Sequence, residues 1–143
     1  MSKGNIFEND FLLLIFNATA IANIADNAAS SPLTNLYVSL HTADPAEAGS
    51  QTTNESAYTS YARVAVARTA GGWTVSGNAV SNAALVQFPQ CTGGTEALTH
   101  FSVGTAASGA GKVLYKGALN ASLAVSSGIQ PQFLAGEIDI SED

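Results

Sequence analysis

The spacing of apolar residues predicts one helix near the start of the chain. Over residues 5–25 they recur every three or four positions, which places them on one helical face. The members of this row are Phe7, Phe11, Leu14, Ala18, Ile21 and Ala25. The run FLLLIF (11–16) widens that face almost around the helix. We expect the helix to pack on a sheet, and its wide apolar face leaves room for a second contact with a neighbouring subunit.

From residue 36 the apolar period changes to two, which is typical of strands. In LYVSLHTA (36–43), apolar and polar side chains alternate, as in a half-buried strand. A tight hairpin is expected at SGN (76–78), and Pro89 should stop a strand. Further strands are predicted at 61–69, as two or three within 71–89, and at 97–105, 112–120, 121–128, 130–136 and 137–143.

One helix followed by about eight short strands predicts a mainly β fold, an antiparallel β-sandwich (jelly-roll-like) with one N-terminal α-helix. The length suits a single domain, 1–143, with the helix at 5–25 and the sandwich at 36–143. Segment 44–60 is long and polar, and loops of this length are usually functional or disordered. We expect it to be an extended arm or surface loop.

Charge and hydropathy exclude several classes of partner. Charged residues make up only 11% of the chain and hydrophobic residues 46%, so small polar residues must cover much of the surface, as suits large protein contacts. The five basic residues are scattered, which argues against nucleic acid or anionic lipid as a partner. The apolar run at 11–16 is far shorter than the roughly 20 residues of a membrane span. We predict no signal peptide and no membrane contact.

The stretch GTAASGAGKVLY (104–115) looks like a phosphate-binding loop at first sight. That motif needs glycine five residues before Gly111 and a hydroxyl after the lysine, but Ala106 and Val113 occupy these positions. A strand is predicted after the loop, where a phosphate site needs a helix N-terminus. The stretch is therefore interpreted as a small-residue turn between two strands.

Catalytic and metal-binding patterns are sparse. Cys91 is the sole cysteine, and an inert thiol is favoured over a nucleophile paired with His100. His41 and Asp44 could enter a Ser-His-Asp set on paper, but a hydrogen-bonding role at a turn is favoured. The two histidines and the cysteine lack zinc-site spacing. The acidic residues Asp139, Glu142 and Asp143 are interpreted as a solvated terminus. We predict no enzyme, metal or cofactor.

Several segments, in order, resemble a family of small tailed-bacteriophage virion proteins. They are NLYVSLHTADPAEAG, SYARVAVA, VSNAALVQFP, THFSVGTAASGAGKVLYKGAL and FLAGEIDISED. Members are often labelled tail fibre proteins, and others decorate the capsid. The resemblance implies no catalytic residues. It implies a virion protein made in the cytoplasm of a host bacterium.

The expected function is capsid decoration: a cement protein on the capsid exterior that binds the major capsid protein and itself, as a trimer or dimer. Low charge, the long polar loop at 44–60, the apolar helix and the absence of an internal repeat favour this role. The alternative is a tail fibre, tail-tip or baseplate module that contacts a host receptor or glycan. Its sugar groove would use aromatic residues from Tyr37, Tyr58, Tyr61, Trp73 and Tyr115. The candidate assembly contacts are Phe7, Phe11, Leu14, Asp44, Pro45, Glu47, Thr52, Asn54 and Tyr58.

Overall fold

The computed structural model describes residues 3–21 and 32–142. In this part of the chain it has one helix and nine strands: α1 (Asn5–Asn17), β1 (Asn35–His41), β2 (Val64–Ala67), β3 (Trp73–Ser76), β4 (Ala79–Asn82), β5 (Val86–Gln87), β6 (Glu96–Gly104), β7 (Val113–Val125), β8 (Gln132–Phe133) and β9 (Asp139–Ser141). The mainly β class, with antiparallel sheets and one N-terminal helix, is confirmed and is consistent with a β-sandwich.

The elements fall into two compact units. We call the first the helix unit; it comprises Met1–Asn35, Val66–Leu85 and Phe133–Asp143. The second, the large-sheet unit, comprises Leu36–Ala65 and Val86–Gln132. Each unit therefore draws on segments that are distant in the sequence.

In the helix unit, α1 lies against the antiparallel sheet β3–β4–β9. The row that α1 buries is Glu8, Leu12 and Phe16, and the Phe16 ring meets Trp73 edge-on with centroids 4.8 Å apart. The β3–β4 hairpin closes with Ser76 opposite Ala79, so the tight turn predicted at 76–78 is confirmed. The buried helical row thus lies one position beyond the row that starts at Phe7.

The helix ends at Asn17, so the prediction of a helix to about residue 25 is wrong at its C-terminal end. Residue 18 adopts a left-handed conformation, with φ of 54°. Arg68 then donates to the carbonyls of Leu14 and Ile15 at 2.7 and 2.6 Å, which satisfies groups that a continuing helix would use. The spacing of apolar residues along the sequence does not indicate this tertiary contact. The predicted helical residues 22–25 lie outside the described residues.

Within residues 3–21 and 32–142, no helix has the length and apolar character needed to cross a membrane.

The large-sheet unit is built on the strand order β2–β1–β6–β7. Along the sequence, the boundary between the two units falls within β2, between Ala65 and Val66. β1 and β6 are antiparallel, with Val38 opposite Val103 and Leu40 opposite Phe101. Both faces of β1 are buried, because Ser39 and His41 are as inaccessible as the apolar row. The prediction that β1 is a half-buried strand is therefore wrong.

β7 is one long strand where two were predicted, at 112–120 and 121–128. Its pairing with β6 is interrupted: Leu98 faces Leu123 and His100 faces Ala118. Residues 119–122 are therefore opposite Thr99 alone, a four-to-one irregularity larger than the usual two-to-one bulge. This bulge lets a single strand change register midway, which alternation in the sequence does not indicate.

The strand predicted at 97–105 is observed as β6 with the same length, and the remaining strands lie at the predicted positions but are shorter. Segment 61–69 contributes only β2, and segment 71–89 contributes the three strands β3 to β5. β5 pairs with β8 in a two-stranded sheet. The predicted segments 130–136 and 137–143 each contain a strand of two or three residues.

Candidate functional site

Segment 44–60 folds back onto the polar face of β1 and β6. Gln51, in its middle, is fully buried, and its Oε1 accepts from the Ala106 backbone N–H at 3.0 Å. The Gln51 N–H donates to the Gly111 carbonyl at 2.9 Å. These bonds join the segment to the turn between β6 and β7. Of the two expected forms, an extended arm or a surface loop, the segment takes the second: it is a loop with many exposed residues that is fastened to the large-sheet unit through Gln51.

A chain of buried hydrogen bonds runs beneath this segment. His41 Nδ1 lies 2.9 Å from the Thr53 carbonyl oxygen, so this nitrogen carries the proton. Nε2 is then the acceptor for the Ser102 hydroxyl at 2.9 Å, and Ser39 donates to Ser102 at 2.8 Å. Gln51 Nε2 completes the chain by donating to Ser39. We call these four side chains (39, 41, 51 and 102) the polar cluster.

The polar cluster holds a neutral histidine. Burial lowers the pKa of His41, and this effect outweighs the hydrogen bond to Thr53 and the nearby Glu55 carboxylate, both of which raise it. Protonated Nε2 would need an acceptor, and the Ser102 hydroxyl would have to reverse its direction. The arrangement therefore favours a neutral, fully hydrogen-bonded cluster.

An ion pair fastens the same segment at a second point. Arg63, whose side chain is 2% exposed, donates to both carboxylate oxygens of Glu55 at 2.6 and 2.7 Å. Its remaining donors reach the carbonyls of Ala106 and Gly109 in the β6–β7 turn. The hydrogen bond to Glu55 is the main reason that the Arg63 pKa is raised. Tyr61 also donates to Glu55, and burial raises its pKa.

The glycine-rich turn is thus an anchoring point. Gly109 has a positive φ of 74°, as expected for a turn, and Arg63 binds its carbonyl. Gly111 serves a different purpose, because a Cβ there would lie 2.1 Å from Gln51 Oε1. A strand, β7, follows the turn as predicted. The backbone carbonyls of the turn accept hydrogen bonds from Arg63, so the polar groups of the turn stabilise the fold.

On the face of the sheet that segment 44–60 covers, Lys116 lies opposite Ser102 and bridges two carboxylates of the segment. Its Nζ lies 2.9 Å from Asp44 Oδ1 and 3.1 Å from Glu47 Oε1. The Ala46 N–H and then Lys116 lower the pKa of Asp44. An open cleft of about 240 Å³ lies beside these groups. Its lining residues are Ala46, Glu47, Val113, Leu114, Tyr115 and Lys116.

The histidine, serine and cysteine side chains that could act as catalytic groups form hydrogen bonds within the protein. The His41–Ser102 contact resembles a catalytic pair, but a backbone carbonyl occupies the place of the orienting carboxylate and both side chains are buried. Cys91 is fully buried, and its thiol donates to the Gly93 carbonyl at 3.2 Å. His100 Nδ1 lies 2.9 Å from the Thr99 hydroxyl. Among residues 3–21 and 32–142, no three acidic, histidine or cysteine side chains form a metal-binding group.

The candidate assembly contacts fall into three groups. In α1, Phe7 is 41% exposed, whereas Phe11 and Leu14 are half-buried. In segment 44–60, the exposed candidates are Asp44, Glu47, Thr52 and Asn54. Pro45 and Tyr58 are buried, so a partner would not reach them on this unit's surface.

Two of the five aromatic residues considered for a sugar groove, Trp73 and Tyr58, are buried inside the units. Trp73 is fully buried in the helix unit. In the large-sheet unit, Tyr58 donates to the Pro89 carbonyl, and burial raises its pKa to about 12. Tyr61 packs edge-on against Tyr58, with centroids 5.4 Å apart. Tyr37, Tyr61 and Tyr115 are the half-buried members of this set.

Sequence reasoning missed Gln51 and Arg63, which organise the cluster and the turn. Gln51 belongs to no motif, and Arg63 lies in SYARVAVA, a segment that carried the family resemblance but gave the arginine no role. A signal did exist in the glycines at 104 and 111, because a glycine where a strand begins or ends can mark close approach of another chain segment. The residue that approaches could not be deduced from one sequence.

Comparison with known proteins identifies the family. The family model described as Podophage GP4 fiber I protein gp80 matches residues 14–141. No curated protein matches the chain. Because the match spans most of its length, the chain belongs to this family. It is a bacteriophage virion structural protein, and the predicted resemblance is confirmed.

Proposed function

We propose that the chain is a non-catalytic subunit of a phage fibre, which associates with itself and with another virion protein. The observation that carries the proposal is the family match over residues 14–141, because the description of that family names a fibre protein. The polar cluster supports it, because His41 and Ser102 use their hydrogen-bonding capacity to hold segment 44–60. A virion subunit benefits from such a fixed surface.

Capsid decoration is the second candidate. The observation that favours it is size: the chain has 143 residues and no internal repeat, whereas a fibre shaft usually repeats a short unit. On this alternative, the major capsid protein would be the partner and the capsid exterior the location. Both candidates require an exposed assembly surface.

The position in the virion separates these candidates. Quantitative mass spectrometry of purified virions gives the molar ratio of this protein to the major capsid protein, and antibody labelling in electron micrographs gives its position. A ratio far below one, with label on fibres, is expected. A ratio near one with label over the capsid would replace the fibre assignment by decoration. Absence from purified virions would contradict both.

The exposed part of α1 is the proposed contact with the other virion protein. Ile6 is 81% exposed and Phe7 41%, and Phe7 packs against Phe11 at 6.2 Å between ring centroids. Phe7→Asp in the phage genome should lower the amount of this protein in virions, since a charge opposes burial of this surface. Ser108→Asp, exposed in the large-sheet unit, is the matched control. Equal incorporation of both variants would exclude this contact.

A further inference from the structure

The second half of β7 is an exposed strand edge. Among the described residues, β7 is the last strand of its sheet. Residues 119–122 face only Thr99 across the bulge, and residues 120–124 are exposed. A strand edge carries unpaired backbone donors and acceptors, so another strand can add to it. We call residues 118–124 the open edge.

The first half of the same strand is protected. Segment 44–60 approaches it: Ser50 forms a bridge with Lys112, and the Gln51 N–H donates to Gly111. Farther along, Ala46 and Glu47 line the cleft beside residues 113–116. Lys116 supplies a charge of the kind that blocks edge-to-edge pairing. The open edge begins two residues beyond that lysine and has no such residue.

The distribution of charge indicates which partner can supply a strand to the open edge. No residue from Gly117 to Gln132 is charged. The large-sheet unit contains four acidic and three basic residues, a net charge of −1, whereas the whole chain carries −6. Two copies of an acidic protein repel one another least where they meet through uncharged surface. The open edge and its surroundings provide such an uncharged surface, and a second copy of the chain presents the same surface.

We propose that two copies of this chain associate through their open edges, which pair antiparallel about a two-fold axis. A two-fold contact uses the same surface on both partners, and antiparallel pairing of one segment with itself meets this condition. Leu123 and Ile129, 37% and 39% exposed, are the large-sheet unit's exposed large apolar side chains within the described residues. Leu123 lies on the open edge, so pairing would also cover apolar surface.

The inference rests on the self-association in the proposed function, and it is tested on the purified chain by sedimentation equilibrium. Ala121→Lys adds a charge to an exposed residue that has no partner on β6. It should raise the dimer dissociation constant at least about tenfold, because like charges would face each other across the two-fold axis. Thr52→Lys adds the same charge in segment 44–60 and should leave that constant unchanged. Circular dichroism checks that both variants fold.

Cysteine cross-linking tests the geometry without relying on a charged variant. In a Cys91→Ala background, single cysteines are placed at each position of the open edge. Disulfides between copies should peak at one position, because only the residue on the axis faces its own copy at bonding distance. A monomer at all concentrations, a dimer equally stable in both lysine variants, or no peak in cross-linking would overturn the proposal. None of these outcomes depends on where the protein lies in the virion.

Discussion

Gln51 occupies the space that a side chain on Gly104 would need. A Cβ built on Gly104 would lie 2.2 Å from Gln51 Cδ, closer than such atoms approach in proteins. The amide that fills this space bonds to Ala106 and is fully buried. The glycine at the end of β6 is therefore explained by a side chain more than fifty residues earlier in the sequence.

We expect Gly104→Ala to lower the free energy of unfolding by about 1–3 kcal/mol, the usual cost of overpacking. Gln51→Ala should also destabilise, because the Ala106 N–H loses its acceptor. The double variant should be less destabilised than the two single effects combined, since removal of Gln51 makes room for the new methyl group. Urea unfolding of the four proteins measures this coupling. Gly71→Ala is the control, because its Cβ would meet only ordinary contacts. Strict additivity would contradict the proposed packing.

Arg63 should tolerate no replacement that leaves Glu55 unpaired. Arg63→Leu is expected to cost about 3–5 kcal/mol, because it removes four hydrogen bonds and leaves a partly buried carboxylate. Arg63→Lys should recover only part of this loss, since an ammonium cannot reproduce the planar fork. Lys116→Ala, which breaks a solvent-exposed ion pair, should change stability little. Thermal unfolding ranks the variants, and a Lys116→Ala effect as large as that of Arg63→Leu would refute this assignment.

These two residues mark the limit of prediction from the sequence. Alternation correctly placed the core strands and the hairpin at 76–78, because buried apolar rows repeat locally. It failed for the polar face of β1, which looks solvent-exposed until segment 44–60 covers it. The end of α1 was missed for a similar reason, since Arg68 comes from a distant strand region. Contacts made by single polar side chains across long sequence distances have no period to detect.

Asn82 should be the most sensitive amide in the helix unit. Its Nδ2 donates to the carbonyls of Ala84 and Leu134, both at 2.8 Å, and its Oδ1 accepts from the Ile138 N–H at 2.9 Å. Asn82→Asp keeps the acceptor but turns a carboxylate toward two carbonyl oxygens. We expect this variant to lose about 2 kcal/mol or more, as for a buried unpaired polar group. Asn78→Asp, at an exposed site, is the matched control. Similar melting temperatures for the two variants would contradict the prediction.

The neutral His41 predicts that stability falls with acidity. Its pKa is lowered by folding, so the unfolded chain binds more protons than the folded chain once the pH approaches the unfolded value of about 6.5. The contribution is fully present above that value and declines as the pH falls toward the lower folded pKa. The slope from one such group is at most about 1.4 kcal/mol per pH unit. Urea unfolding between pH 7.5 and pH 5 should show the decline, and His41→Asn should flatten it. An unchanged slope in His41→Asn would assign the pH dependence to other groups.

Deletion of residues 44–60 should prevent folding of the large-sheet unit. The segment supplies Gln51 to the polar cluster and Glu55 to Arg63, so its removal would expose buried polar groups and leave Arg63 unpaired. Thr52→Ala and Glu47→Ala alter only exposed side chains of the same segment and should retain the native circular dichroism spectrum and melting temperature. Their virion incorporation then tests whether this surface makes contacts, which a deletion cannot do. A folded deletion protein with native stability would show that the segment is dispensable, against its burial.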